Sequence, residues 1–145
     1  MRRLFISTTA LIVALASTAM LAQKVTTPDD LDKAMKKIAP AQGAATKAIQ
    51  SMSWADAKTQ IGIVKQTLAD TESFWVAHKK DDAVKMLKDS IAKVSAVEEA
   101  VSAPAPDQQA VMAAFKQVGA TCAACHKQYR EQDENQQYRL KTGSI

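Results

Sequence analysis

Apolar side chains recur at alternating steps of three and four residues through most of the chain after residue 27, which is the period of an amphipathic α-helix. The pattern is interrupted three times and predicts four helices, at about residues 28–50, 54–79, 82–102 and 108–131. Helices of this length with short connections form an up-down-up-down antiparallel four-helix bundle. The sequence therefore predicts an all-α fold.

Capping and helix-breaking residues mark the ends of these helices. Thr27 is a capping residue, Pro28 fits the first helical position, and acidic residues follow in the first turn. Ser53 can cap the second helix. The prolines within residues 103–106 end the third helix, and Asp107 then caps the fourth.

Each predicted helix has one stripe that faces the bundle interior. The first stripe contains a single polar residue, Gln42. The stripe positions are Leu31, Met35, Ile38, Gln42, Ala45 and Ile49; Ile61, Val64, Leu68, Thr71, Trp75 and His78; Val84, Leu87, Ile91, Val94 and Val101; and Val111, Phe115, Val118, Cys122, Cys125 and Tyr129. The last stripe thus places two cysteines on an inward face.

The first 22 residues differ from the rest of the chain. Arg2 and Arg3 make the start basic, residues 4–21 form a mainly apolar stretch without charges, and small residues stand at Ser17, Ala19 and Ala22. This is the organisation of a secretory signal peptide. We therefore expect residues 1–22 to be a signal peptide and the mature protein to be periplasmic. An uncleaved membrane anchor is the alternative.

Length and composition indicate one helical domain and a tail. The chain has 145 residues with only 4 Gly and 4 Pro, which favours helices. Residues 23–131 would form the domain, and residues 132–145 a polar tail that could fold back through Tyr138 and Leu140. Aromatic residues make up only 5% of the chain, so a large flat ligand would supply bulk that the core lacks.

The charge pattern gives no sign of nucleic-acid binding. The formal net charge of +4 falls to +2 when Arg2 and Arg3 leave with the signal peptide, and no basic cluster remains. A second apolar run long enough to span a membrane is also missing. We expect neither a nucleic-acid partner nor a membrane span in the mature protein.

The fourth predicted helix carries Cys122-Ala123-Ala124-Cys125-His126, the C-x-x-C-H motif of covalent haem attachment. Residues three and four apart share a helix face, so both sulfurs can reach the two vinyl groups on one porphyrin edge. The adjacent imidazole can then bind the iron. The motif predicts one haem c, attached to Cys122 and Cys125 near the end of the last helix, with His126 as an iron ligand.

Three other uses of the cysteines fit less well. A structural zinc site normally needs four Cys or His ligands, and the chain has two cysteines and two histidines, of which His78 is distant. A thioredoxin-like pair would lie beside a βαβ pattern, and none is visible. A disulfide between Cys122 and Cys125 within one helical turn has poor geometry.

Residues 118–130, VGATCAACHKQYR, lie on the last helix of a predicted exported bundle and resemble the cytochrome c′ and cytochrome c-556 family. The resemblance covers residues 28–131. It implies that the last helix carries the haem and that a residue of the first helix faces the iron from the other side. An apolar residue there implies five-coordinate iron that binds small gases, whereas methionine implies a six-coordinate electron carrier.

Met35 stands at the matching position. Its level in the bundle agrees, because Met35 is about six residues from the start of the first helix and His126 is about five from the end of the antiparallel last helix. Met35 is therefore the predicted sixth ligand. His78, on the second stripe at the haem end, is the second candidate. In the remaining alternative, Met35 only packs and no side chain is the sixth ligand.

Two further residues are predicted to lie near the haem. Trp75 is within about two turns of the end of the second helix and would pack on the ring. Arg130 matches a basic position of the family, which implies pairing with a propionate or a position over the ligand. Where the family commonly has another arginine, this chain has Leu31, so Lys36 or Arg139 are alternative propionate partners.

The preferred function is electron transport by a monohaem c-type cytochrome that is not an enzyme and that exchanges electrons with redox partner proteins. The alternative is a cytochrome c′-type protein that binds NO or CO. A third hypothesis is a helical interaction protein without haem. The resemblance also implies that two copies can form a homodimer through the first two helices, where small residues would permit it: Ala41, Ala44, Ala45 and Ala48.

Overall fold

The computed structural model describes residues 24–145, so the predicted signal peptide lies outside the described residues. The elements are α1 (Pro28–Gln50), α2 (Trp54–Asp70), α3 (Glu72–Ala77), α4 (Asp81–Val101), α5 (Gln108–Tyr129), β1 (Arg130–Gln132) and β2 (Tyr138–Leu140). The fold is all-α, a four-helix bundle in which α2 and α3 together form the second member. Within residues 24–145, every helix is too short or too polar to cross a membrane.

The start of α1 is fixed by reciprocal capping. The Thr27 hydroxyl accepts a hydrogen bond from the backbone N–H of Asp30, and the Asp30 carboxylate accepts one from the backbone N–H of Thr27. Asp107 likewise accepts from the N–H of Ala110 at the start of α5. The predicted caps at Thr27 and Asp107 are confirmed. Ser53 stands at the N-cap position of α2, as predicted, but its side chain makes no capping hydrogen bond.

The second predicted helix, residues 54–79, differs from the structure because it is broken at Thr71. The buried Thr71 hydroxyl donates to the carbonyl oxygen of Leu68 at 2.7 Å, and the Thr71 N–H donates to the same oxygen at 3.0 Å. These bonds compete with the regular helical bond and end α2 at Asp70. The short α3 then buries Phe74 and Trp75.

Hydrogen bonds at both ends of α5 confirm the antiparallel arrangement. The Gln108 side chain donates to the carbonyl oxygens of Ile49 and Gln50, which joins the start of α5 to the end of α1. At the other end, the Gln128 side chain donates to the Asp82 carboxylate at the start of α4. The end of α5 therefore lies beside the start of α4.

The C-terminal segment forms a hairpin. Strands β1 and β2 are antiparallel, with Arg130 opposite Leu140 and Gln132 opposite Tyr138. The Asp133 side chain accepts from the N–H groups of Asn135 and Gln137 and so holds the turn. The polar tail predicted for residues 132–145 therefore contains strand β2, and strands of three residues are too short to show a period in the sequence. The predicted return of the chain through Leu140 is present, since this residue packs against the core.

Candidate functional site

A cavity of about 420 Å³ lies between α1, α3, α4, the ends of α2 and α5, and the hairpin. Its walls are mostly apolar, and its volume is in the range of small-molecule and cofactor sites. The six site residues predicted from the sequence all line it: Met35, Trp75, Cys122, Cys125, His126 and Arg130. The structure thus brings together side chains from three helices and the start of β1.

The two cysteines are free thiols on one face of α5 and are half-buried. The Gln42 side-chain amide donates a hydrogen bond to Cys122 Sγ at 3.8 Å. Burial raises the pKa of the Cys122 thiol. Burial, together with the nearby Cys122 and Asp82, raises the pKa of Cys125 to about 11. Both residues therefore keep their S–H proton at neutral pH.

His126 is half-buried beside these thiols. Burial lowers the pKa of its imidazole, and the positive charge of Arg130 lowers it further. The imidazole is therefore neutral at pH 7, and neutral imidazole is the form that binds metal ions.

The two candidates for the sixth ligand differ in position. Met35 on α1 lines the cavity and packs partly buried against the core. His78 follows α3 and is not among the cavity-lining residues. Its Nδ1 lies 2.8 Å from the carbonyl oxygen of Phe74, and its ring packs against that of Phe74 at 4.3 Å between centroids, with the two planes tilted by 40°. The structure places Met35, but not His78, at the cavity.

One wall of the cavity is aromatic. The rings of Trp75 and Tyr129 are both buried, with centroids 4.9 Å apart at 57°. Phe74 packs edge-on against Trp75 at 5.1 Å. Tyr129 was predicted as a stripe residue but not as a site residue, although its position three residues after His126 puts it on the same face of α5.

Basic groups lie at the cavity alongside this wall. The Arg130 guanidinium stacks over the ring of Tyr138 at 3.9 Å from its centroid. Arg139 and Lys36, the two alternatives predicted as propionate partners, also line the cavity, as does Leu31. The cavity can therefore receive a ligand with an apolar body and anionic groups.

These features fit a covalently attached haem. Two protonated thiols stand three residues apart, a neutral imidazole follows at once, and apolar and aromatic walls surround them. Sequence reasoning missed the contribution of the hairpin residues Gln136 and Gln137, which also line the cavity. No local signal marked them, because the fold of the hairpin brings them there.

A protein-family model described as Cytochrome C' matches residues 16–130. No curated protein and no solved structure matches the chain. The match includes all five helices and ends at the first residue of β1.

Proposed function

Since the chain belongs to the cytochrome c′ family, we propose that it is an exported electron carrier whose single haem is attached to Cys122 and Cys125. Family membership makes the protein a c-type cytochrome and implies a c-type haem. The proposal adds covalent attachment at these two residues, His126 and Met35 as the iron ligands, and electron transfer without enzymatic activity.

The observation that carries the proposal is the position of Met35. Its thioether lines the same cavity as His126 but comes from α1 rather than α5, whereas His78 is turned toward the Phe74 carbonyl oxygen. When bound, the haem supplies an iron that gains and loses one electron. A methionine ligand favours the reduced state and raises the reduction potential.

The other residues would hold the haem and shield it. Cys122 and Cys125 would each add their S–H across a vinyl group to form a thioether. Trp75 and Tyr129 would keep water from one face of the haem, since both are buried. Arg130 would pair with a propionate, because it lies at the cavity with its guanidinium already held over Tyr138.

Export and partners are further parts of the proposal. The basic and apolar pattern of residues 1–22 supports export to the periplasm, and redox proteins would be the partners. A homodimer rests on the family resemblance alone. Of the small residues that would permit pairing, Ala41, Ala45 and Ala48 are buried within the bundle.

A gas-binding protein is the second candidate, and membership of the cytochrome c′ family is equally compatible with it. In that case Met35 would fill core space and leave the iron open to NO or CO. Met35 is indeed partly buried against the core, so the two functions differ in whether its sulfur binds the iron.

An absorption spectrum of the purified full-length protein distinguishes the two candidates. The electron carrier should be low-spin in both oxidation states, and the ferric form should show the weak sulfur-to-iron band of methionine ligation. A high-spin spectrum would contradict the electron-carrier proposal and favour gas binding. A colourless protein would contradict both.

A further inference from the structure

The C-terminal hairpin forms one wall of the haem cavity although it lies almost wholly outside the family match, which ends at residue 130. Five consecutive residues of the hairpin line the cavity: Gln136, Gln137, Tyr138, Arg139 and Leu140. The wall that closes this side of the cavity therefore comes from residues beyond the matched region.

Glu131 connects the two strands from outside the cavity. One oxygen of its carboxylate, Oε1, accepts from Arg139 Nε at 3.2 Å, from the Thr142 N–H at 3.1 Å and from the Thr142 hydroxyl at 2.9 Å. The carboxylate thus fixes both the strand that lines the cavity and the residues that follow it. Glu131 itself does not line the cavity.

The attachment of the hairpin to the helices is light. The Lys141 N–H donates to the Tyr129 carbonyl oxygen at 2.8 Å, and Leu140 packs partly buried against the core. Within the hairpin, the three hydrogen bonds that hold β2 and Thr142 to Glu131 are exposed to solvent, where each is individually weak. Segments held in this way open locally without unfolding of the whole protein.

We infer that the C-terminal hairpin is a size-selective cover of the haem cavity and that Glu131 is the positioning residue that holds it closed. This inference rests on the proposed function, because it takes haem to occupy the cavity. When the hairpin is closed, diatomic molecules enter the cavity more readily than larger ligands do. When the Glu131 contacts are released, both diatomic and larger ligands can enter.

The test uses the full-length, haem-loaded protein with Met35→Leu in every sample, so that an external ligand need not displace the methionine sulfur. Association of carbon monoxide and of n-butyl isocyanide with the reduced protein is measured with and without Glu131→Ala. The isocyanide should bind about tenfold faster in Glu131→Ala, because about three hydrogen bonds that favour the closed form are lost. Carbon monoxide should change less.

Glu134→Ala is the matched control, since Glu134 is an exposed carboxylate in the turn of the same hairpin. It should leave both rates unchanged. Thr142→Pro is a second variant at an exposed position, and it removes both Thr142 donors to Glu131. It should reproduce the faster isocyanide binding if Glu131→Ala does not fold.

Amide hydrogen exchange at Lys141 gives a readout that does not depend on the haem. Exchange should be faster in Glu131→Ala than in Glu134→Ala. Faster exchange with unchanged isocyanide rates would overturn the role of the hairpin as a cover, and unchanged exchange would overturn the role of Glu131. A colourless protein would instead overturn the proposed function, and the inference with it.

Discussion

The side-chain amide of Gln42 on α1 donates to Cys122 Sγ on α5 at 3.8 Å, and both residues line the cavity. Gln42 is the polar residue of the otherwise apolar stripe of α1. The contact joins α1 and α5 at the level of the cavity. Because the helices are antiparallel, Met35 two turns before Gln42 and His126 one turn after Cys122 both extend toward the same end of the bundle. Gln42 is therefore part of the cavity that would hold the haem.

Replacing Gln42 with Glu should lower the reduction potential. A carboxylate at the cavity wall favours the ferric state, by an amount on the order of tens of millivolts for a charge close to the iron. Potentiometric titration of the full-length protein measures the shift. Gln117→Glu makes the same charge change at an exposed position of α5 outside the cavity and should have little effect. Equal potentials in the two variants would contradict the placement of Gln42 beside the haem.

Covalent attachment predicts that colour survives denaturation. Thioether bonds persist when the chain unfolds, so the denatured protein should keep its colour and show the added mass of one haem. Replacing both Cys122 and Cys125 with Ala should abolish this retention. Mass spectrometry and a haem stain after denaturing electrophoresis provide the measurement. Colour that extracts into acidic organic solvent would refute covalent attachment.

The same double variant should be far less helical than the haem-loaded protein. Without haem the cavity of about 420 Å³ is left unfilled, and unfilled core space costs several kcal/mol, on the order of 2–5 kcal/mol for a single large side chain. Circular dichroism and thermal melting test this. Native-like helicity and an unchanged melting temperature would show that the helices do not need the haem.

The parts of this structure that depend on local chemistry were predictable, and those that depend on distant packing were not. Capping residues such as Thr27 and Asp107 predict where helices begin. The cysteine motif and the apolar stripe of α1 predict the residues of the haem cavity. The break at Thr71 was missed because it depends on a buried hydroxyl bonding to Leu68. The hairpin was missed because its strands are short and its closure depends on Glu131 reaching Thr142.

The closed hairpin should be sensitive to acid. Hydrogen bonds from Thr142 hold the pKa of Glu131 below its usual value of 4.5. Its contribution to closure is therefore fully present above about pH 4.5 and is lost as the pH falls through the lowered pKa. In the Met35→Leu background, isocyanide association should accelerate over this acidic range.

Glu131→Gln is the control for the acid effect, because it resembles the protonated acid at every pH. Its isocyanide rate should exceed that of the parent at neutral pH and should converge with it in acid. Other carboxylates that titrate in this range, such as Asp82 and Asp30, affect both proteins alike. A constant difference between the two proteins across the acidic range would refute the role of Glu131.

Met35→Leu tests the assignment of the sixth ligand. The substitution keeps the size and apolarity of the side chain but removes the sulfur, so it should cost less than about 1.5 kcal/mol of stability. The iron should become five-coordinate and high-spin, and its potential should fall because a thioether favours the reduced state. Carbon monoxide and nitric oxide should bind faster, since no ligand has to leave.

Met112→Leu is the matched control, because Met112 is a partly buried core residue near the start of α5 and does not line the cavity. An unchanged low-spin spectrum in Met35→Leu would redirect the assignment to His78, which would then have to leave its contact with the Phe74 carbonyl oxygen. A variant with both Met35 and His78 replaced would test this reassignment. If His78 is the ligand, Met35→Leu should stay low-spin and the double variant should become high-spin.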